Sequence, residues 1–147
     1  MCMQNNIRYW IGVASRDHVM KSVEGGFVQL CHGKEAPLKK MKTGDWIIYY
    51  SPKVWLKKSA PYQKFTALGQ VVDDHIFQFD MGDGFIPFRR KIKFMNCTET
   101  SIHPLILKLS FIKNKKYWGY SFRFGHVEIS ENDFKVIQDE MIGLKEN

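Results

Sequence analysis

Residues 25–52 read GGFVQLCHGKEAPLKKMKTGDWIIYYSP. Within this run lie a strand-like segment at Phe27–Cys31, a His32-Gly33-Lys34 turn, a basic helical patch and a second strand at Trp46–Tyr50. The Trp46–Tyr50 segment is apolar on both of its alternating faces, the pattern of a strand covered from both sides and therefore internal to a sheet. Pro37 to Met41 can form one or two helical turns, with Leu38 and Met41 inward and Lys39, Lys40 and Lys42 outward. Thr43-Gly44-Asp45 reads as a turn, and Pro52 is expected to end the strand. A buried strand that stops in hydroxyls and a turn can hold polar groups at the mouth of a pocket.

Working outward, Ile7–Ala14 is apolar and β-rich, a first and central strand. Ser15 is placed as the N-cap of a short helix, with Asp17 favourable to its dipole, Val19 and Val23 as its core anchors, and Gly25-Gly26 as its stop. Residues 53–64 form a basic loop longer than an ordinary connection. Further strands are expected at Phe65–Val72, His75–Phe79 and Phe85–Met95, with turns at Asp73-Asp74 and Gly82-Asp83-Gly84. A short helix is expected around Pro104 and more strand at Leu109–Ile112 and Trp118–Ile129. Ser130, with Asp133 three residues on, opens a C-terminal helix whose inward stripe is Phe134, Ile137 and Met141. The expectation is one α+β domain over residues 1–147, a curved mixed sheet or partly closed barrel of five to six strands with helices packed around it.

Charge narrows the function. Residues 34–64 carry eight lysines against Glu35 and Asp45, a net of +6 out of +7 for the whole chain. Such asymmetry points to a polyanion on one face. Three widely spaced cysteines and no C-x-x-C argue against a disulfide framework or a zinc ribbon. The five histidines show no metal-ligand spacing, so no metal is assigned. No run approaches the roughly 18 apolar residues of a membrane span, and no signal peptide is apparent. The expectation is a cytoplasmic monomer with no membrane partner. Neither a P-loop, a nucleophile elbow nor a dinucleotide fingerprint occurs, so no cofactor and no catalytic residue are assigned.

One strand places a charge on the core side. Alternation over Phe85–Phe94 puts Arg90 inward with Ile86, Phe88, Ile92 and Phe94, and Arg89 outward with Lys91 and Lys93. A buried guanidinium must be paired. Asp45, Asp80 or a backbone carbonyl are the candidate partners of a structural Arg90, and Arg89 becomes the candidate phosphate contact.

Several stretches, in order, resemble the EVE domain family, a branch of the PUA-like superfamily related to YTH and ASCH domains. They are Tyr9-Trp10-Ile11-Gly12-Val13-Ala14-Ser15, Asp17-His18-Val19, Gly26-Phe27-Val28-Gln29 with His32-Gly33-Lys34, and Pro37-Leu38 to Met41. Gly44 to Pro52, Phe65 to Gly69, Pro87-Phe88-Arg89-Arg90, Trp118-Gly119, Glu128-Ile129-Ser130 and Asp133-Phe134 follow. The resemblance implies a barrel-like sheet of five or six strands. It also implies a pocket built from the end of the first strand, the His-Gly-Lys turn and the Tyr-Tyr-Ser-Pro strand end. Related readers take a flipped, modified base into such a pocket, and EVE domains are thought to read modified bases in DNA or RNA, modified cytosine among them. Carried onto this chain, the base pocket is Trp10, Ser15, His18, His32, Lys34, Tyr50 and Ser51, with Trp10, Tyr50 and Trp55 as candidate cage aromatics. Lys39, Lys40, Lys53, Lys57, Lys58 and Arg89 would meet the nucleic-acid backbone. The favoured expectation is thus a binding module. Two alternatives stand beside it: an enzyme on modified nucleosides, with Lys34 as nucleophile or base and His18 or His32 as its partner, and a merely solvated lysine face that meets an acidic protein.

Overall fold

The computed structural model describes residues 6–57 and 60–143. Its elements are β1 (Tyr9–Val13), α1 (Arg16–Gly25), β2 (Phe27–Val28), α2 (Glu35–Lys40), β3 (Trp46–Lys53), β4 (Pro61–Gln78), β5 (Phe88–Phe94), β6 (Thr100–Ser101), β7 (His126–Ile129) and α3 (Glu131–Ile142), with 3₁₀ turns at Cys31–Gly33, His103–Lys108 and Trp118–Phe122. The strands form one mixed sheet in the order β2-β5-β4-β3-β1-β7, with β6 also pairing to β4. It is curved and does not close. The sheet has seven strands, of which β2 and β6 are only two residues long.

β1 runs parallel to β3, Ile11 opposite Ile48, and antiparallel to β7. β3 is therefore internal, as its apolar character requires. Alternation along these strands builds a core on each face. Ile11, Ile48, Tyr50, Phe65 and Leu68 pack under Phe134, Ile137 and Met141 of α3. Trp10, Ile47, Tyr49, Ala67 and Val71 pack under Val19 of α1 and Leu38 of α2, with Met41 beside them. Leu38 and Met41 point inward and Lys39, Lys40 and Lys42 outward, as the spacing predicts.

Several local expectations are corrected. Ser15 precedes α1 in extended conformation but caps no helix N–H; its hydroxyl donates to Asp17 Oδ1 at 2.5 Å. The buried stripe of α1 is Val19 and Ser22, while Val23 is exposed. Pro52 does not end β3, because the register shifts between Ser51 and Lys53 and the missing N–H falls on that irregularity. Asp73-Asp74 is not a turn: β4 continues through it as a bulge between Val71 and Ile76. Leu109–Ile112 and Trp118–Phe122 are turns rather than strand, closed by Ile112 N–H on Leu109 O and Tyr120 N–H on Tyr117 O. The α3 cap holds, with Asp133 N–H donating to Ser130 Oγ at 3.1 Å. The Asp133 carboxylate does not reach back to Ser130. It accepts from Ser110 N, Ser110 Oγ and Phe111 N, each at 2.9 Å, and so pins the 110–111 loop to the helix.

Candidate nucleic-acid interface

The end of β1 is joined to the end of β3 by Ala14 N–H on Tyr50 O (3.1 Å), and the start of α1 to the loop after β3 by Asp17 N–H on Val54 O (3.0 Å). On the other side Val13 N–H donates to Gly125 O at 2.9 Å. Cys31 Sγ lies 3.5 Å from Phe124 O. Four segments thus meet at one rim: the α1 start, the 31–34 turn, the end of β3 and the approach to β7. The meeting is one of backbone segments: Ser15, Tyr50 and Ser51, expected to converge there, are buried, and β2 sits at the far edge of the sheet rather than beside β1.

The 31–34 turn is strained. Cys31, His32 and Gly33 have φ of 49°, 63° and 81° in succession. Each non-glycine residue held there costs on the order of 1–2 kcal/mol. The turn is fixed by Gly33 N–H and Lys34 N–H on Leu30 O at 2.9 and 3.2 Å. Only glycine fits at 33, where a Cβ would lie 2.4 Å from Pro87 Cβ. His32 and Lys34 are exposed on this turn. Strain of this kind gathers at ligand sites.

His18, on the first turn of α1, is half-buried with its ring edge-on to Tyr49 at 6.5 Å. Burial pushes its pKa below the ordinary value; a hydrogen bond with the Gln29 backbone and the charge of Asp17 oppose the shift, and Arg89 and Lys21 reinforce it. The shift favours the neutral imidazole, whose N–H is engaged by the Gln29 backbone and whose other nitrogen can accept. Beneath it lies a polar chain that the sequence does not announce. Tyr49 Oη is 3.4 Å from Ser22 Oγ, accepts from Gln29 N and donates to Gln29 O, both at 3.3 Å. Arg89 Nε donates to Gln29 Oε1 at 2.9 Å. Period-two reading of β3 could have found Tyr49, since it shares a face with Ile47 rather than with Tyr50.

Arg89 is not on an open polar face. Its guanidinium is held between the rings of Phe27 (3.9 Å) and Phe79 (4.2 Å), and only 9% of the residue is exposed. Alternation fails at the start of β5 because these partners come from β2 and from the loop after β4. Arg90 is buried as expected, and its partners are backbone carbonyls. Nη1 donates to Leu38 O (2.7 Å) and Met41 O (2.5 Å), while Nε and Nη2 donate to Asp73 O at 3.1 and 3.0 Å. It clamps α2 to the β4 bulge and forms the inner wall of a basic cleft of about 430 Å³ shared with Lys39, Lys42 and Thr43.

Three predicted pocket side chains are turned inward. Trp10 is buried, stacks on His126 at 4.6 Å and donates its indole N–H to Asp45 Oδ2 at 3.0 Å. The Tyr50 ring stacks on Phe122 at 4.2 Å in the α3-side core. Ser51 is fully buried, its hydroxyl 2.9 Å from Thr66 Oγ1 at the bulge between β3 and β4. Ser15 is buried too, its hydroxyl bonded to Asp17. Trp55 is exposed in the loop after β3. Lys34, Lys39, Lys40, Lys53 and Lys57 are all exposed, while Lys58 lies outside the described residues.

The EVE domain profile matches residues 8–140. The chain belongs to the EVE domain family. It is 66% identical over 130 residues to the UPF0310 protein in gntR 5'region of Bacillus licheniformis, covering 88% of each chain. It is 49% identical to a UPF0310 protein of Mycobacterium avium (strain 104), over 90% of this chain and 96% of the other. The fold is shared with two solved structures. Rpa0253 from Rhodopseudomonas palustris, solved by NMR, has a TM-score of 0.58 at 14% identity, over 96% of this chain and 97% of that one. A hypothetical protein from Leishmania major has a TM-score of 0.55 at 13% identity, over 90% and 93%. Among the described residues, no helix is long and apolar enough to cross a membrane.

Proposed function

We propose that this protein is a nucleic-acid-binding module, not an enzyme, that receives a modified, flipped base at the rim formed by α1, the 31–34 turn and the β3 end. The observation that carries the reading is the strained turn. Three successive left-handed residues hold exposed His32 and Lys34 at a rim that also receives half-buried His18. A base taken out of its stack loses hydrogen bonds to water and neighbours, and protein groups must replace them. The His18 imidazole, whose N–H is engaged by the Gln29 backbone, offers its other nitrogen as an acceptor for the base edge, and His32 supplies a ring and a second polar edge. Lys34, Lys39, Lys40, Lys53 and Lys57 meet the flanking phosphates, which gives affinity without sequence preference. Membership of the EVE family supports the same assignment. In this reading the protein acts as a cytoplasmic monomer.

The test is a binding screen over matched modified and unmodified oligonucleotides, single- and double-stranded. At least one modification is expected to raise affinity, and His18→Ala and His32→Ala are each expected to lower that modified-to-unmodified ratio while low-salt binding to unmodified strands persists. Equal affinity for every modified and unmodified pair would refute the reading.

A further inference from the structure

Between Thr100 and Val127 the chain carries Lys108, Lys113, Lys115, Lys116 and Arg123 and no aspartate or glutamate. This second basic stretch is hidden in the whole-chain balance because acidic residues elsewhere offset it. The same segment exposes large aromatic rings: Tyr117 at 62%, Tyr120 at 63% and Phe124 at 72%. The cations lie on these rings. Arg123 sits 3.5 Å over Tyr120 and 4.3 Å over Phe124, and Lys116 sits 5.2 Å over Tyr117. The segment is anchored from below by Phe122, stacked on Tyr50 in the core. Arg123 Nη1 also donates to Tyr120 O at 2.7 Å, which fixes the guanidinium between its two rings.

We infer that this surface is a stacking platform for single-stranded nucleic acid. It rests on the proposed function for its role, as the track that holds the strand beside the flipped base. Rings interleaved with fixed cations match the alternation of base and phosphate along one strand. A duplex keeps its base faces inside the stack, where these rings cannot reach them. Position agrees with charge. Phe124 O is the acceptor for Cys31 Sγ, and Gly125 O accepts from Val13 N, so the platform ends at the rim itself. A second exposed apolar surface, at Phe79, Met81, Phe85 and Ile86, carries Asp80 and Asp83 and would repel a polyanion.

The test uses an unmodified, fluorescein-labelled oligo-dT of about 15 nucleotides and a hairpin duplex of matched phosphate count, read by anisotropy at low salt. The wild-type chain is expected to bind the single strand more tightly than the duplex. Tyr120→Ala/Phe124→Ala changes no charge and is expected to lower oligo-dT affinity by about tenfold or more, the scale of one lost base–ring stack, with the salt slope unchanged. Tyr120→Phe/Phe124→Tyr, which keeps both rings, is expected to bind like the wild type; thermal melting checks that each variant is folded. No loss in the alanine variant, preference for the duplex, or tighter binding of a poly-glutamate peptide would each overturn the platform. The modified-to-unmodified ratio is read separately on the same variants. A ratio above one with no loss of oligo-dT binding sinks the platform and spares the base site, whereas loss of oligo-dT binding at a ratio of one supports the platform and sinks the base site.

Discussion

The indole N–H of Trp10 and the carboxylate of Asp45 are joined at 3.0 Å in the core, across the parallel pair β1 and β3. Asp45 Oδ2 also accepts from Lys42 N at 2.9 Å, and Oδ1 from Arg8 N at 3.0 Å. One carboxylate, 1% exposed, thus closes the turn after α2 and fastens the start of β1 to it. Asp45→Ala strands three N–H donors, each costing about 1–3 kcal/mol when buried and unmet. A loss of at least about 3 kcal/mol is expected in urea unfolding, with Asp45→Asn losing less because it keeps one acceptor oxygen. An Asp45→Ala midpoint equal to that of the wild type would show that the turn closes without the carboxylate.

Arg89 and Arg90 both hold the fold, by different means. Arg90 gives its guanidinium to three carbonyls, so Arg90→Ala leaves α2 and the β4 bulge without their clamp. A cost of at least about 3 kcal/mol is expected, because three carbonyls lose their donor at about 1–3 kcal/mol each. Arg89→Ala removes the planar group between Phe27 and Phe79, with an expected cost of about 1–2 kcal/mol from lost ring contact and the unpaired Gln29 amide. Thermal melts should therefore rank wild type, Arg89→Ala and Arg90→Ala in descending order. An Arg89→Ala melt at the wild-type temperature would return Arg89 to the open face that alternation predicts.

What alternation and helical spacing govern is legible in the sequence. The internal β3, the inward pair Leu38 and Met41, the Ser130 cap and the Phe134-Ile137-Met141 stripe all follow from local period and local chemistry. The misread residues depend on partners far along the chain. Arg89 is decided by Phe27 and Phe79, and the Asp73 bulge by Arg90, 17 residues on. The meeting of the β1 and β3 ends was legible because both strands are internal and apolar. The inner side chains there were not. Trp10, Tyr50 and Ser51 each have a polar or aromatic partner in the core that no spacing rule reports. The basic surface was half legible, since the 100–127 segment hides its charge among turns that read as strand.

The lysine face gives a prediction in salt. Each phosphate neutralised by a lysine releases a counterion, so each lost contact flattens the slope of log affinity against log salt by roughly 0.7–0.9. Lys39, Lys40, Lys53 and Lys57 are exposed; Lys39 lines the cleft, and Lys53 and Lys57 lie at the end of β3 and in the loop after it. Their joint replacement by alanine is expected to flatten the slope by roughly 2–4 while leaving the preference for a modified base unchanged. A slope identical to the wild type would move the phosphate track off this face and onto the 113–124 platform.

His126 gives the pH dependence its sign. Its ring stacks on Trp10, and its Nε2 is buried without a hydrogen-bond partner among the described residues. Burial, with a smaller contribution from Lys40, pushes its pKa down to about 4. Unfolded, it titrates near the ordinary histidine value of about 6.5. The unfolded chain therefore binds the proton first, and stability falls as pH drops from 6.5 towards 4. The stabilisation is fully present above pH 6.5 and lost as pH passes through the folded value, on the order of 3 kcal/mol in all. His18, whose pKa is also lowered, adds to the same trend with the same sign. His126→Phe keeps a ring on Trp10 and removes the titration. Urea midpoints measured from pH 7.5 to pH 4 should fall for the wild type and fall less steeply for the variant. Parallel curves for the two would mean that the His126 imidazole takes up its proton in the folded protein as readily as in water.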